Sequence, residues 1–419
     1  METSHAPMGW NSWDCYGAAV TEAIVLQNAA YMAEHLKPFG YEYIVVDIQW
    51  SDPTAASNDY HPFTELTMDE YSRLLPAVNR FPSAAGGKGF GPLAEKIHAM
   101  GLRFGIHIMR GIPRQAVHRN TGILGSTHTA REIAATDSIC PWNTDMYGVD
   151  PKKDGARAYY ESLFRLYASW GVDFIKCDDI CRELPRAEDE LQLLADALHS
   201  CGREMVLSLS PGPALPEKAE LYKRVSNMWR ITDDFWDDWR LLYDMFDRAK
   251  TWCIHAGAGH WPDADMLPVG PIRQVYDPNN RTRFTRDEQI TMLTLWCILR
   301  SPLMIGGEMT GFDAFTKELL TNRGILGMHR LARHSHPVWR RMQDGTELIL
   351  WTAACADGGT YAALFNVGEA DAETEIALSD LELSGPAAYT ALWTGKTGSA
   401  KDTIAVSLRR HGAAAFLLR

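Results

Sequence analysis

The stretch Lys176-Cys177-Asp178-Asp179 closes an apolar run, Phe174-Ile175, on a cation and two acids. On a strand, residues two apart share a face, so Lys176 and Asp178 point one way and Cys177 and Asp179 the other. A lysine beside a carboxylate keeps it ionised, by charge and by hydrogen bonding. An ionised, oriented carboxylate can attack the anomeric carbon of a sugar. Arg230, Thr232 and Asp234 repeat the spacing on a second apolar run. Two carboxylates on separate strands could flank a small ligand. Separations of about 5–5.5 Å suit a retaining glycosidase and about 6.5–9.5 Å an inverting one.

Polar residues gather at the ends of other strand-like runs: Trp13 and Asp14, Asp47 and Trp50, His107 and Arg110, Ser208 and Ser210, Asp263 and Asp265. Each has a plainer reading. Lys176 and Asp178 could be a buried ion pair that sets register. Asp233 and Asp234 could cap the helix that opens at "FWDDW". Trp13, Trp50 and Trp261 could be core, and His107 a satisfied interior histidine. Cys177 faces the opposite side and reads as packing.

Such residues need a scaffold that gathers strand ends. Strand candidates occur at 8–12, 42–50, 103–109, 174–179, 204–210, 228–234, 260–267 and 302–306. Between and after them, 21–36, 92–101, 155–170, 187–201, 217–226, 236–252, 285–300 and 313–322 carry apolar residues at helical spacing. Gly101, Gly171 and Gly202 stand where helices should end. Strict alternation predicts an α/β fold, a (β/α)8 TIM barrel, with catalytic groups at the C-terminal strand ends. A doubly wound open sheet is the rival, but no glycine-rich phosphate loop follows the first strand. After about residue 330 short β-type runs separated by Gly, Asp and Ser predict a small antiparallel β-sandwich. The division expected is a catalytic barrel over 1–330 and a C-terminal β-sandwich domain over 331–419. The segment 110–150 is long for a barrel loop and should help shape the active face.

The 419-residue chain has a net charge of −12, which disfavours nucleic acid and anionic membranes as partners. Neither a signal peptide nor a membrane span is read from the sequence. The eight scattered cysteines fit reduced thiols and a cytoplasmic location. No second Cys pair, and no His-x-His or similar ligand pair at the end of a barrel strand, suggests a metal site, so neither metal nor cofactor is expected.

The motifs "MGWNSW" (8–13), "YIVVDIQW" (43–50), "GVDFIKCDD" (171–179), "WRITDDFWDDW" (229–239), "WPDADML" (261–267) and "SPLMIGG" (301–307) resemble glycoside hydrolase family 27, the α-galactosidase family, in the family's order. The resemblance implies a retaining exo-glycosidase acting on a glycoside or small oligosaccharide, with Asp178 as nucleophile and Asp234 as acid/base. It implies sugar contacts from Trp13, Asp47, Lys176, Arg230 and Asp265, with Trp50, His107, Ile48 and Ser210 as further binding candidates. Three departures bear on the substrate. Ile48 replaces the second acid of a usual Asp-Asp pair, which tilts the expectation toward β-L-arabinopyranosides, galactosides without the C6 group. "SLSPGPA" replaces a usual Glu-Trp, leaving room for a 2-acetamido group as in α-N-acetylgalactosaminidases. His107 stands where an aromatic hydroxyl is usual. A metal-dependent hydrolase and a non-catalytic sugar-binding protein are the competing classes; the latter would need one carboxylate lost, and both are present. A homo-oligomer stays open.

Overall fold

A computed structural model describes residues 5–184 and 186–419. Eight parallel strands form its first part: β1 Met8–Asn11, β2 Tyr43–Val46, β3 Arg103–Met109, β4 Phe174–Asp178, β5 Val206–Leu209, β6 Met228–Arg230, β7 Trp261–Asp263 and β8 Leu303–Ile305. From β1 to β7 each strand pairs with the next in chain order, and β8 returns to pair with β1. A parallel bridge between Leu267, just past β7, and Ile305 closes the ring. The structure is therefore a TIM barrel, as the alternation predicts.

The side chains of β4 show how the barrel is filled. Phe174 joins Tyr43, Val45, Val206 and Met228 in a cluster inside the ring. Ile175 and Cys177 join the larger cluster between strands and surrounding helices. Lys176 and Asp178 continue the inward face above Phe174, so the apolar interior gives way to charge at the C-terminal end. Gly101, Gly171 and Gly202 take left-handed φ values of 73°, 80° and 87° at helix ends, where a Cβ would be strained.

The predicted strands 42–50, 228–234 and 260–267 are too long. Their ladders stop at Val46, Arg230 and Asp263. Strand alternation therefore does not carry from Arg230 to Asp234; the chain turns between them. The helix after β6 is Trp239–Trp252, capped by Asp238, whose side chain accepts from Arg240 N at 2.8 Å. Asp233 and Asp234 are not its cap. Residues 110–150 are not a plain loop: Ile112–Pro113, Ala134–Ile139 and Met146–Val149 form a small antiparallel sheet.

A helix at Arg323–Leu331 leads into the C-terminal antiparallel part. Its strands are β9 Ala332–Gln343, β10 Thr346–Cys355, β11 Thr360–Asn366, β12 Ala372–Ala377, β13 Ala387–Ala391, β14 Thr397–Ala400, β15 Thr403–Leu408 and β16 Ala413–Leu418. Six of them form one sheet in the order β9-β10-β11-β16-β13-β14, and β12 pairs with β15. Leu350, Leu364, Ile376, Ile404 and Phe416 fill the space between the two sheets. The opposite face of the larger sheet, with Ile349, Trp351 and Phe365, belongs to the barrel's own apolar cluster.

Candidate active site

The C-terminal strand ends surround a cavity of about 290 Å³ lined by Trp13, Asp47, Lys176, Asp178, Arg230, Asp234 and Asp265, among others. These seven predicted residues come from the ends of β1, β2, β4, β6 and β7.

Asp178 sits beside His107 and Lys176, but the direct partner is not the one its spacing suggests. His107 Nε2 lies 3.0 Å from Asp178 Oδ2, whereas Lys176 Nζ donates to Asp47 Oδ2 at 2.8 Å. The register explains this: β3 and β4 pair Met109 with Asp178 and His107 with Lys176. Burial would raise the Asp178 carboxyl; the His107 hydrogen bond and the charges of Lys176, His107 and Arg230 outweigh it and hold the group well below the usual carboxylate range. Asp47 is likewise lowered: burial opposes, and Lys176 and His107 prevail. Asp47 also accepts from Asn11 Nδ2 at 2.7 Å and from its neighbour Ile48 N at 2.8 Å. The ammonium of Lys176 is held charged by Asp47 and Asp178 against burial.

Arg230 is a second hub. It meets Asp265 at 2.7 Å and Asp234 at 3.0 Å. Arg230 is 3% exposed at its side chain and Asp234 55%, so Asp234 reaches solvent from a buried partner, and its neighbour Asp233 in the same cavity wall is exposed as well. The turn carrying Asp234 is pinned at Phe235 N, which donates to Asp265 Oδ2 at 2.7 Å. Asp237, fully buried, anchors the same turn through Arg273 and Arg283. Asp265 adopts a left-handed φ of 79°, a conformation aspartate tolerates better than most residues. Its N donates to Asp263 Oδ1 at 2.9 Å and its carbonyl accepts from Trp296 Nε1 at 3.0 Å. Burial pushes its carboxyl up against the pull of Arg230, and Asp234 and Asp263 add to the rise.

Four binding candidates stand elsewhere. Trp50 is core: it packs edge-on to Phe90 and Trp170 and donates Nε1 to His107 O at 2.7 Å. Its strand ended earlier than predicted, and the chain then turned it outward between barrel and helices. His107 is 1% exposed and acts on the cavity from behind, through its contact with Asp178 and its field at Asp47. Ser210 is buried and lines a smaller cavity with Lys176, Arg230 and Asp265, while Pro211 stands in the wall of the larger one. Ile48 backs the wall, in an apolar cluster with Met109, Cys140 and Met146 against Trp13, Tyr60 and Trp142.

Sequence reasoning missed that aromatic wall. Tyr60 stacks on Trp13 with centroids 6.0 Å apart and planes at 16°, and Trp142 lies 5.8 Å from Tyr60. Both come from segments without regular periodicity; the length of 110–150 was the available signal for Trp142. Among the described residues, no group of three or more His, Cys, Asp or Glu side chains is arranged to hold a metal ion. No helix there is long and apolar enough to cross a membrane.

Known proteins share this fold. The α-galactosidase A family model matches residues 151–330, and the α-galactosidase C-terminal β-sandwich model matches 345–418. A crystal structure of a family 27 β-L-arabinopyranosidase from Geobacillus stearothermophilus superposes with a TM-score of 0.96 at 54% identity, covering 99% of this chain and 96% of that one. The chain belongs to glycoside hydrolase family 27. A Bacillus halodurans C-125 protein assigned as an α-N-acetylgalactosaminidase is 50% identical with a TM-score of 0.88, covering 100% of this chain and 99% of that one. An α-galactosidase of Oryza sativa subsp. japonica is 25% identical over 416 residues, 98% of this chain and 84% of its own. This family 27 member is accordingly a glycoside hydrolase, and a glycoside is its class of substrate.

Proposed function

We propose that the enzyme is a retaining exo-glycosidase that removes terminal α-D-galactopyranosyl-type residues and prefers β-L-arabinopyranosides. The observation that carries the mechanism is Asp178, a buried carboxylate held ionised by His107 and Lys176 and opening into the same cavity as the solvent-facing Asp234. In the first step Asp178 attacks the anomeric carbon. The glycosidic C–O bond breaks while Asp234 gives its proton to the departing oxygen. In the second, Asp234 takes a proton from water, whose oxygen displaces Asp178 and frees the sugar with its original configuration. Trp13 offers an aromatic face to the ring, Asp47 accepts hydroxyls, and Lys176 donates to others. Arg230 and Asp265 fix the acid/base turn and face the ring from the far side.

Ile48 supports the choice of sugar. It fills an apolar pocket behind the wall, where the α-galactosidase pattern would set a second acid. Burying a hydroxymethyl oxygen without a partner costs on the order of 1–3 kcal/mol, roughly a ten- to hundredfold preference for the pentose. The likeness to a β-L-arabinopyranosidase solved also in complex with arabinose points the same way. The likeness to the Bacillus halodurans protein, with small residues around Pro211, favours α-N-acetylgalactosaminides as the second reading. Eight unpaired cysteines support a reducing, cytoplasmic setting, and we take 1–330 as the catalytic barrel and 331–419 as the β-sandwich domain.

The test is kcat/KM on nitrophenyl β-L-arabinopyranoside, α-D-galactopyranoside and α-N-acetylgalactosaminide side by side, for the natural chain and Ile48→Asp. The arabinoside should lead, and Ile48→Asp should move the ratio toward galactoside by about tenfold. A natural chain that already prefers galactoside, with a ratio the variant leaves alone, removes Ile48 as selector.

A further inference from the structure

A second cavity opens on the catalytic side of the barrel, built by the chain that follows β2 and by the excursion that follows β3. It encloses about 710 Å³. Phe63 N donates to Thr144 Oγ1 at 3.1 Å, and both residues line this cavity. Their near neighbours Tyr60 and Trp142 line the active site, so one wall separates the two spaces.

The chemistry of this cavity opposes that of the molecule. The chain carries a net charge of −12, yet Arg114, Arg119, Arg131 and His118 face only Glu65 and Asp145 here. Glu65 is engaged by Arg119 at 2.6 Å. Arg131 donates to the carbonyls of Val117 and His118. Asp145 accepts from Gln49, and burial pushes its carboxyl up to about 6, so near neutral pH it stays largely ionised; the two acids together still leave the three guanidiniums in excess. Arg114 differs. Among the described residues no carboxylate forms an ion pair with it; its guanidinium lies over the Phe63 ring at 4.8 Å and the Tyr147 ring at 4.7 Å. Stacking fixes the plane of the guanidinium and leaves its N–H fork for an acceptor. A carboxylate matches that fork with two parallel hydrogen bonds. Phe63 is 72% exposed and presents an aromatic face of the kind that sugar rings cover.

We infer that this cavity binds a uronic acid unit of the glycan that carries the terminal sugar, with Arg114 gripping the carboxylate and Phe63 the ring. The inference rests on the glycosidase reading above and extends it to acidic polysaccharides. A neutral glycan would leave the guanidinium unpaired, and a phosphate ion would leave Phe63 uncovered.

The test is calorimetric titration of digalacturonate and of neutral digalactoside into the whole protein, with L-arabinose present to fill the catalytic cavity. Digalacturonate should bind at least tenfold more tightly than the neutral disaccharide. Arg114→Gln should abolish that preference, and Arg114→Lys, which keeps the charge but not the fork, should restore part of it. Equal binding of the two disaccharides, or a preference that survives both substitutions, overturns the inference. So does inorganic phosphate that displaces digalacturonate at equal concentration. Should Arg114→Gln unfold, Arg114→Lys decides alone: an undiminished preference there counts against the fork. Turnover of nitrophenyl glycosides does not enter this readout, so a wrong terminal sugar and a wrong cavity assignment give different results.

Discussion

At the scale of single residues, His107 does more than its position suggested. Its contact with Asp178 is a charge-assisted hydrogen bond, and it heads the influences that lower that carboxyl against burial. A carboxylate with a depressed folded value stabilises the native state above the ordinary carboxylate range, and that stability is lost as pH falls through the folded value. His107→Ala should let Asp178 titrate higher. The acid limb of kcat/KM should then move to higher pH, and the variant should lose stability relative to the natural chain mainly above that range. A pH–rate profile with an unmoved acid limb would contradict this role. The residues legible in the sequence were those on regular strand: alternation alone placed Lys176 and Asp178 on one inward face. Trp50 was misread because its ladder ends at Val46, four residues before it. The Lys176–Asp47 pair was not legible, since partners on neighbouring strands depend on register that no single strand carries.

At the scale of elements, β1 is tightly confined against β2. A Cβ on Gly9 would lie 2.4 Å from Tyr43 O and 2.7 Å from Tyr43 Cβ, and the obstacle is the backbone of β2. Gly9→Ala should therefore cost about 1–3 kcal/mol by overpacking. Because β1 also delivers Trp13, KM should rise with it. Urea unfolding and steady-state kinetics check both, and an unchanged midpoint would mean that β1 and β2 part more easily than their packing implies. The existence and order of all eight barrel strands were legible from apolar periodicity. Their ends were not, because strand ends are set by cross-strand hydrogen bonds and by left-handed turns such as Asp179 and Asp265, with φ of 59° and 79°. β9 was invisible for a different reason. Its sequence "ARHSHPVWRRMQ" is polar and contains Pro337, and its ladder with β10 is interrupted by irregular register.

At the scale of the whole molecule, barrel and C-terminal sheet share one apolar cluster. The helix Arg286–Leu299 is buried along nearly its whole length between them. Thr291 donates to His411 O, and the His411 ring stacks on Trp239 with centroids 3.5 Å apart. Removing 331–419 would bare that helix and Phe246, which packs edge-on to Phe365. A chain ending at 330 should aggregate, as size-exclusion chromatography would show; a monodisperse, active barrel would mean that the shared cluster is dispensable. The same architecture sets Asp178 and Asp234 about one cavity, and the chemistry proposed for them would leave its mark on the product. Proton NMR of nitrophenyl β-L-arabinopyranoside hydrolysis, recorded before the sugar mutarotates, reads that mark directly. A covalent Asp178 intermediate predicts β-L-arabinopyranose as the first anomer released. Release of the α anomer first would show a single displacement by water and contradict the nucleophilic role of Asp178.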